Sequence, residues 1–269
     1  MIRLEAPEES LHAWLEAAES RRSRRSFDGE PLTPAQLDTL SALSRSFRPS
    51  PVARAVFIPQ APADIFTGIV GSYGRISGAP SALAFVGTVG APGVEAAVGF
   101  TGEGLVLEAN RQGLATCWVA GLFKPHKVAR LIGMGGGERV FAISPVGRPL
   151  ETVPGTERVL YRTRLNVPKP RKPAEEIAPG FESWPAWAQA GVREVRRAPS
   201  AMNRQPWRLR YEDGRIVVSY DGVDAPRISK RLDCGIAMLH FELGARAAGV
   251  AGEWQLVPEG TDVARYRLT

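Results

Sequence analysis

The apolar residues of the chain recur at two periods, and the places where the period changes divide it into elements. Between residues 8 and 20, Leu11, Trp14, Leu15 and Ala18 fall three and four apart, the spacing of one helix face. The run Leu32-Thr33-Pro34-Ala35-Gln36-Leu37 predicts a second helix. Thr33 is its N-cap, and Pro34 occupies the first turn, where a missing N–H costs nothing. Residues 52–59 alternate weakly, and 82–89 form an apolar run framed by Gly78-Ala79-Pro80 and Gly90. Both predict strands, the second of them buried. Residues 95–112 predict a long helix closed by Gly113, and 139–146 a further buried strand.

The character of the chain changes at 151–180, where proline and charge predominate; this predicts a linker or extended arm. Beyond it, 184–197 predicts a helix and 198–207 a loop. RLRYEDGRIVVSYDG predicts a hairpin turning at Asp213-Gly214, 233–250 a second long helix, and the closing ARYRLT a strand. A faint repeat connects the two parts. Aligning Gly113 with Gly249 and Trp118 with Trp254 places Gly99 on Gly235, Leu107 on Leu243, Ala109 on Ala245, Leu114 on Val250 and Ala115 on Ala251. Helix-glycine-strand units are common, so the pattern by itself leaves duplication and coincidence evenly balanced.

Composition narrows the function classes. A chain of 269 residues holds one large domain or two smaller ones, and 44% hydrophobic with 23% charged residues suits a folded globular protein. The net charge of +6 comes from 34 basic against 28 acidic residues. Its only basic clusters, at 21–25 and 169–172, are too short for the basic and aromatic stripe of a nucleic-acid module. Cys117 and Cys234, in apolar and helix-like surroundings, form neither a disulfide framework nor a zinc site and are expected to be reduced and buried. His12, His126 and His240 lack ligand spacing. No GxSxG elbow or P-loop is present, and Gly133-Met134-Gly135-Gly136-Gly137 lacks dinucleotide-binding spacing and predicts a turn. The N-terminal segment lacks the pattern of a signal peptide, and no apolar stretch reaches membrane-spanning length. The expectation is a cytoplasmic protein with no nucleic-acid or membrane partner.

Two segments could carry chemistry. Arg21–Phe27, RRSRRSF, reads either as an anion site, since guanidinium groups grip phosphate bidentately, or as a solvated basic turn closing a helix. Taken alone, the solvated turn is favoured. Ala198–Trp207, APSAMNRQPW, offers amides at Asn203 and Gln205 in a loop stiffened by Pro199 and Pro206. It reads equally as a pocket wall or as a connector.

Together the two segments resemble the nitroreductase family. The resemblance rests on Arg21-Arg22-Ser23-Arg24-Arg25-Ser26-Phe27-Asp28, on Ser200-Ala201-Met202-Asn203-Arg204-Gln205-Pro206-Trp207, and on Gly113-Leu114-Ala115-Thr116-Cys117-Trp118-Val119-Ala120-Gly121. The basic pair in Arg162-Thr163-Arg164 and the strand within residues 78–89 add to it. It implies an α+β, nitroreductase-like fold with FMN as cofactor. Arg21, Arg162 and Arg164 would hold the phosphate, Ser23 would lie at the phosphate or ribityl chain, Arg25 at the N1/C2-carbonyl edge, and Arg22 among the cofactor-binding residues. Ala120 and Gly121 would lie near N5, with Ser200, Asn203 and Gln205 closing the pocket. It further implies hydride transfer from NAD(P)H through the flavin to a small electron-poor acceptor.

The order of the motifs departs from the usual one. The SxxNxQPW loop, ordinarily a few dozen residues after the arginine segment, appears only beyond the 151–180 arm. The second part has no RxSxRxF; its helix reads Val192-Arg193-Glu194-Val195-Arg196-Arg197. The chain therefore resembles a single-chain pseudo-dimer: residues 1–172 as one half including the arm, 173–269 as the other, each with a sheet flanked by helices. One flavin site between them and a monomeric state are expected. A flavin-binding sensor or store without turnover, and a pseudo-enzyme that has lost flavin, are the alternatives.

Overall fold

The computed structural model describes residues 1–67, 75–150, 170–224 and 228–269. The chain runs α1 (Glu8–Ser20), α2 (Pro34–Ser46), β1 (Ala53–Ile58), β2 (Ser81–Thr88), α3 (Val94–Arg111), β3 (Ala115–Thr116), α4 (Pro125–Leu131) and β4 (Glu138–Gly147). It continues through α5 (Ala174–Ile177), α6 (Ala186–Val195), β5 (Trp207–Glu212), β6 (Arg215–Tyr220), α7 (Lys230–Ala247), β7 (Gly252–Leu256) and β8 (Asp262–Leu268).

The strands form two antiparallel sheets, ordered β1-β2-β4-β3 and β5-β6-β8-β7. The second order is the first with its strands renumbered. In both sheets a long helix connects the second strand to the third, and the second strand's pairing with the last carries one register shift. The faint repeat therefore has a structural counterpart. α3 and α7 cross at the aligned glycines. A Cβ on Gly99 would lie 2.1 Å from the Leu232 carbonyl oxygen, and one on Gly235 would lie 2.0 Å from that of Ala96. Leu232 and Ala96 are themselves equivalent in the repeat, so the contact is reciprocal in the manner of a two-fold interface.

Both long helices are buried on nearly every side, which is why their hydrophobic pattern is broad rather than a single stripe. Their buried acids are each bonded. Glu108 accepts from Trp14 Nε1 at 2.9 Å and from Arg111, and Glu242 accepts from Trp254 Nε1 at 3.1 Å and from Arg246. One continuous apolar cluster runs from Ile2 and Trp14 through α3 and α7 to Trp254 and Tyr266. A smaller one, with Ile58, Phe66, Phe123, Val128 and Ile143, lies under α4.

The halves interleave. Ile2 exchanges two 2.9 Å backbone hydrogen bonds with Trp254 on β7, and Arg246 donates to the Leu4 carbonyl at 2.8 Å. The start of the chain thus packs on the second sheet.

Most elements predicted from the pattern are present within a few residues. Thr33 and Gln36 form a reciprocal capping box, and Gly113 and Gly249, with φ of 76° and 78°, follow the ends of the two long helices. Asp213 and Gly214 both adopt positive φ, as a tight hairpin turn requires. The helix expected over 184–197 begins only after Pro185. The arm expected over 151–180 is not wholly extended: its last part includes α5, which buries Ile177, and residues 151–169 lie outside the described residues. Cys117 and Cys234 are buried and free, as expected, but Cys117 follows β3 rather than lying in a helix. No helix among the described residues is long and apolar enough to cross a membrane.

Candidate cofactor site

The arginine segment is not a solvated turn. α1 ends at Ser20; Arg21 still donates its N–H to the Ala17 carbonyl at 2.8 Å, but its ψ of 129° turns the chain extended. Ser23 then bridges in parallel to Thr116 beside β3, and Arg24 N–H donates to the Thr116 carbonyl at 3.0 Å. Further on, Ser77 N–H donates to the Arg25 carbonyl and Phe27 N–H to the Ser77 carbonyl. These backbone bonds hold the segment straight, so successive side chains point to opposite sides. Arg22 is exposed, while Arg21 is only 6% exposed. Arg21 reaches Ser23 Oγ at 3.4 Å, and its Nε is buried with no partner among the described residues. Burial pushes its guanidinium pKa down, while the Glu103 carboxylate opposes that shift.

The late loop is built on strained backbone. Met202, Asn203 and Gln205 have φ of 52°, 48° and 48°, a region that side chains other than Asn and Gly rarely occupy. Such residues persist where the surroundings over-determine them, at a cost on the order of 1–3 kcal/mol each. Here Ser200 Oγ accepts from Gln205 N–H at 2.9 Å. Asp233, at the start of α7, accepts from Ala201 N–H at 3.1 Å and from Arg204 Nε at 2.7 Å. The Gln205 amide accepts from Lys172 N–H at 2.9 Å and donates to the Pro170 carbonyl at 3.0 Å. Gln205, expected to face the cofactor, is 1% exposed and spends its amide on pinning the loop to the arm.

Arg171 ties the arm to the late loop. Its guanidinium donates to the Ala198 carbonyl, to the Arg197 carbonyl at 3.0 Å and to Asn203 Oδ1 at 3.2 Å. Burial, and then the positive charges of Arg21 and Arg22, hold its pKa down to about 10. The Arg197–Glu19 ion pair, at 3.0 Å, ties the end of α1 to the start of the loop, and the Glu19 carbonyl accepts from Arg22 at 3.1 Å. The Ala120-Gly121 turn lies alongside: a Cβ on exposed Gly121 would meet Ile228 Cδ1 at 3.6 Å, and the Ile228 carbonyl accepts from Arg204. Beneath it, Trp118 stacks on Phe85 with centroids 4.1 Å apart and donates its Nε1–H to Glu103 at 2.7 Å. Glu103 also pairs with His240 Nε2 of α7 at 3.0 Å, wholly buried between the halves.

Of the expected site residues, Arg21, Arg22, Ser23, Ala120, Gly121, Ser200 and Asn203 are thus linked by short chains of contacts. Arg25 lies further along the same extended segment, and Arg162 and Arg164 lie outside the described residues. Arg171, Asp233, Glu103 and His240 were missed. The basic run at 169–172 was the only signal for Arg171, and the other three sit in helices whose pattern reads simply as core. Among the described residues no group of acids, histidines and cysteines is placed to hold a metal.

Asp233 and Glu242 give the protein a pH signature. Burial raises Asp233 to about 6 against the opposing pull of Arg204, and raises Glu242 to about 7 against that of Arg246. The folded state holds both protons more tightly than the unfolded chain, so this contribution to stability is complete below about pH 4 and is lost as pH rises through 6 and 7. Each group accounts for roughly 3 kcal/mol at most. The melting temperature of the wild type is expected to fall more steeply between pH 5 and pH 8 than that of an Asp233→Asn, Glu242→Gln variant; equal slopes would refute the assignment.

Twin four-stranded antiparallel sheets on a crossed pair of buried helices define an α+β protein of nitroreductase-like fold. The model of the family described as "Putative TM nitroreductase" matches residues 14–245, and the chain belongs to that family. A "putative nitroreductase" from Thermotoga maritima MSB8 aligns at a TM-score of 0.61 and 25% identity, over 94% of this chain and 92% of that one. A nitroreductase family protein from Streptococcus pneumoniae TIGR4 aligns at a TM-score of 0.44 and 16% identity, over 61% of this chain and 98% of that one. An FMN-dependent nitroreductase from Clostridium difficile R20291 aligns at 0.41 and 15%, over 51% and 88%. No curated protein matches the chain.

Proposed function

We propose that the chain is an FMN-dependent oxidoreductase that takes reducing equivalents from NAD(P)H and delivers them to a small electron-poor acceptor, with one flavin site between residues 1–172 and 173–269. The observation that carries this reading is the buried Arg21, whose Nε has no partner among the described residues. A buried cation without an acid is costly unless an anion completes it, and a flavin phosphate fits that requirement. Arg21 and Ser23, on one side of the extended segment, would hold the phosphate, together with Arg162 and Arg164, and Arg25 would face the electron-rich edge of the ring. Ala120 and Gly121 are small enough to let the backbone approach the ring closely. Ser200 and Asn203 close the opposite wall, held there by Gln205 and Asp233. When bound, FMN supplies hydride transfer at N5.

A single site is supported by what fills the pseudo-equivalent position. The repeat aligns Ala120 with Leu256, and the Leu256 side chain packs on Gly93, where a Cβ would lie 2.8 Å from Leu256 Cδ1. The corresponding sheet edge is also covered by Ile2. Purified protein is therefore expected to be yellow, with an FMN-to-chain ratio near one, and to be bleached anaerobically by NADH or NADPH. Colourless protein that takes up no added FMN would overturn the reading; yellow protein that neither nicotinamide bleaches would favour a flavin store or sensor.

A further inference from the structure

We infer that Arg171, carried on the arm between the two halves, is a phosphate-binding residue of the cofactor site and makes cofactor capture depend on how the arm is seated. This rests on the flavin reading above. Three observations bear on it.

First, Arg171 has no carboxylate partner among the described residues, although neighbouring cations do: Arg197 pairs with Glu194 and Glu19, Arg204 with Asp233, and Lys172 with Glu176. Second, its position is fixed by acceptors that bring no formal charge, the Arg197 and Ala198 carbonyls and Asn203 Oδ1. Those contacts orient the planar guanidinium without neutralising it. A guanidinium oriented in this way loses little further freedom when it forms a fork with phosphate oxygens. Third, Arg21 and Arg22 are the positive groups acting on it, and Glu103 is the opposing carboxylate. Geometry ties the same segments: Glu19, at the end of α1, pairs with Arg197, whose carbonyl accepts from Arg171, and the Glu19 carbonyl accepts from Arg22, while Glu103 is already bonded to Trp118 and His240. A dianionic phosphate held by Arg21 and Arg171 would offset the charge of both.

The arm is anchored at the same place. Lys172 N–H and the Pro170 carbonyl bond the Gln205 amide on either side of Arg171, and Arg196 Nε donates to the Lys172 carbonyl at 3.1 Å. Seating the arm and presenting the arginine are therefore one event. Phosphate binding at Arg171 would in turn hold the arm and the late loop together.

The test compares FMN with riboflavin, which shares the ring and ribityl chain but lacks the phosphate. Flavin is removed, and the binding of each ligand to wild type, Arg171→Met and Arg171→Lys is followed by flavin fluorescence. Arg171→Met is expected to weaken FMN about ten- to a hundredfold more than riboflavin, the worth of one charge-assisted hydrogen bond to phosphate, any loss of loop anchoring acting on both ligands alike. Arg171→Lys is expected to recover part of the loss, since it keeps the charge without the fork. Equal weakening of both ligands would mean that Arg171 only holds the loop, and unchanged FMN binding would mean that it faces no phosphate; either result overturns the inference. If wild type binds neither ligand, the flavin reading itself fails, and the inference fails with it.

Discussion

Arg21→Met is expected to lower FMN affinity by about a hundredfold or more and to raise the melting temperature of the flavin-free protein. The first effect follows from removing a buried guanidinium beside Ser23, where a charge-assisted contact to phosphate contributes on the order of 2–3 kcal/mol and its desolvated surroundings strengthen it. The second follows from the unpartnered Nε. An apolar side chain of similar length removes a buried charge that no acid among the described residues pairs with, and such replacements stabilise by about 1–4 kcal/mol where packing is preserved. Opposite signs for binding and stability are the mark of a residue kept for its ligand rather than for the fold. Flavin titration and thermal melting of the stripped protein read the two effects separately. A variant that binds FMN normally, or that melts well below wild type, would remove Arg21 from the proposed pocket.

Gly235→Ala should be among the most damaging single changes in the molecule. On an ordinary helix, replacing glycine by alanine stabilises by about 1 kcal/mol. At Gly235 the new methyl would lie 2.0 Å from the Ala96 carbonyl oxygen, and the three nearest atoms are all Ala96 backbone, so α3 and α7 must move apart. Overpacking of that kind costs typically 1–3 kcal/mol, and here the shift spreads along the whole crossing, including the buried Glu103–His240 pair. A net loss of roughly 3 kcal/mol or more is expected. Gly99→Ala should behave alike, because its contact with the Leu232 carbonyl is the reciprocal one. Gly136→Ala, with nothing within 4 Å, is the control and should leave the melting temperature almost unchanged. If Gly235→Ala and Gly136→Ala melt together, the close crossing is not what joins the halves.

The two predictions probe different parts of one arrangement. The glycine crossing fixes how α3 and α7 meet, and the proposed site needs that meeting to bring the late loop and the arginine segment to one cofactor. A change at Gly235 should therefore weaken flavin binding as well as stability, whereas Arg21→Met separates the two.

Local features of the sequence determined the elements. The helical spacing of Leu11, Trp14 and Ala18, the cap at Thr33, the glycines closing the two long helices and the turn at Asp213-Gly214 are short-range effects, and the structure bears each of them out. The RxSxRxF and SxxNxQPW segments also carried the family, because their residue types can be read without knowing what they touch. Tertiary structure decided the rest. Burial of Arg21 depends on a chain that turns extended beside β3, whereas its neighbours in sequence suggest a solvated turn. Arg171 lay in what reads as a linker, and its meaning comes from carbonyls and cations some 25 to 150 residues away. Glu103 and His240 look like polar interruptions of core helices until the crossing sets them 3.0 Å apart. Spacing along a chain encodes contacts within a few residues; which charges end up buried together depends on how distant segments pack, and that appears only in the folded molecule.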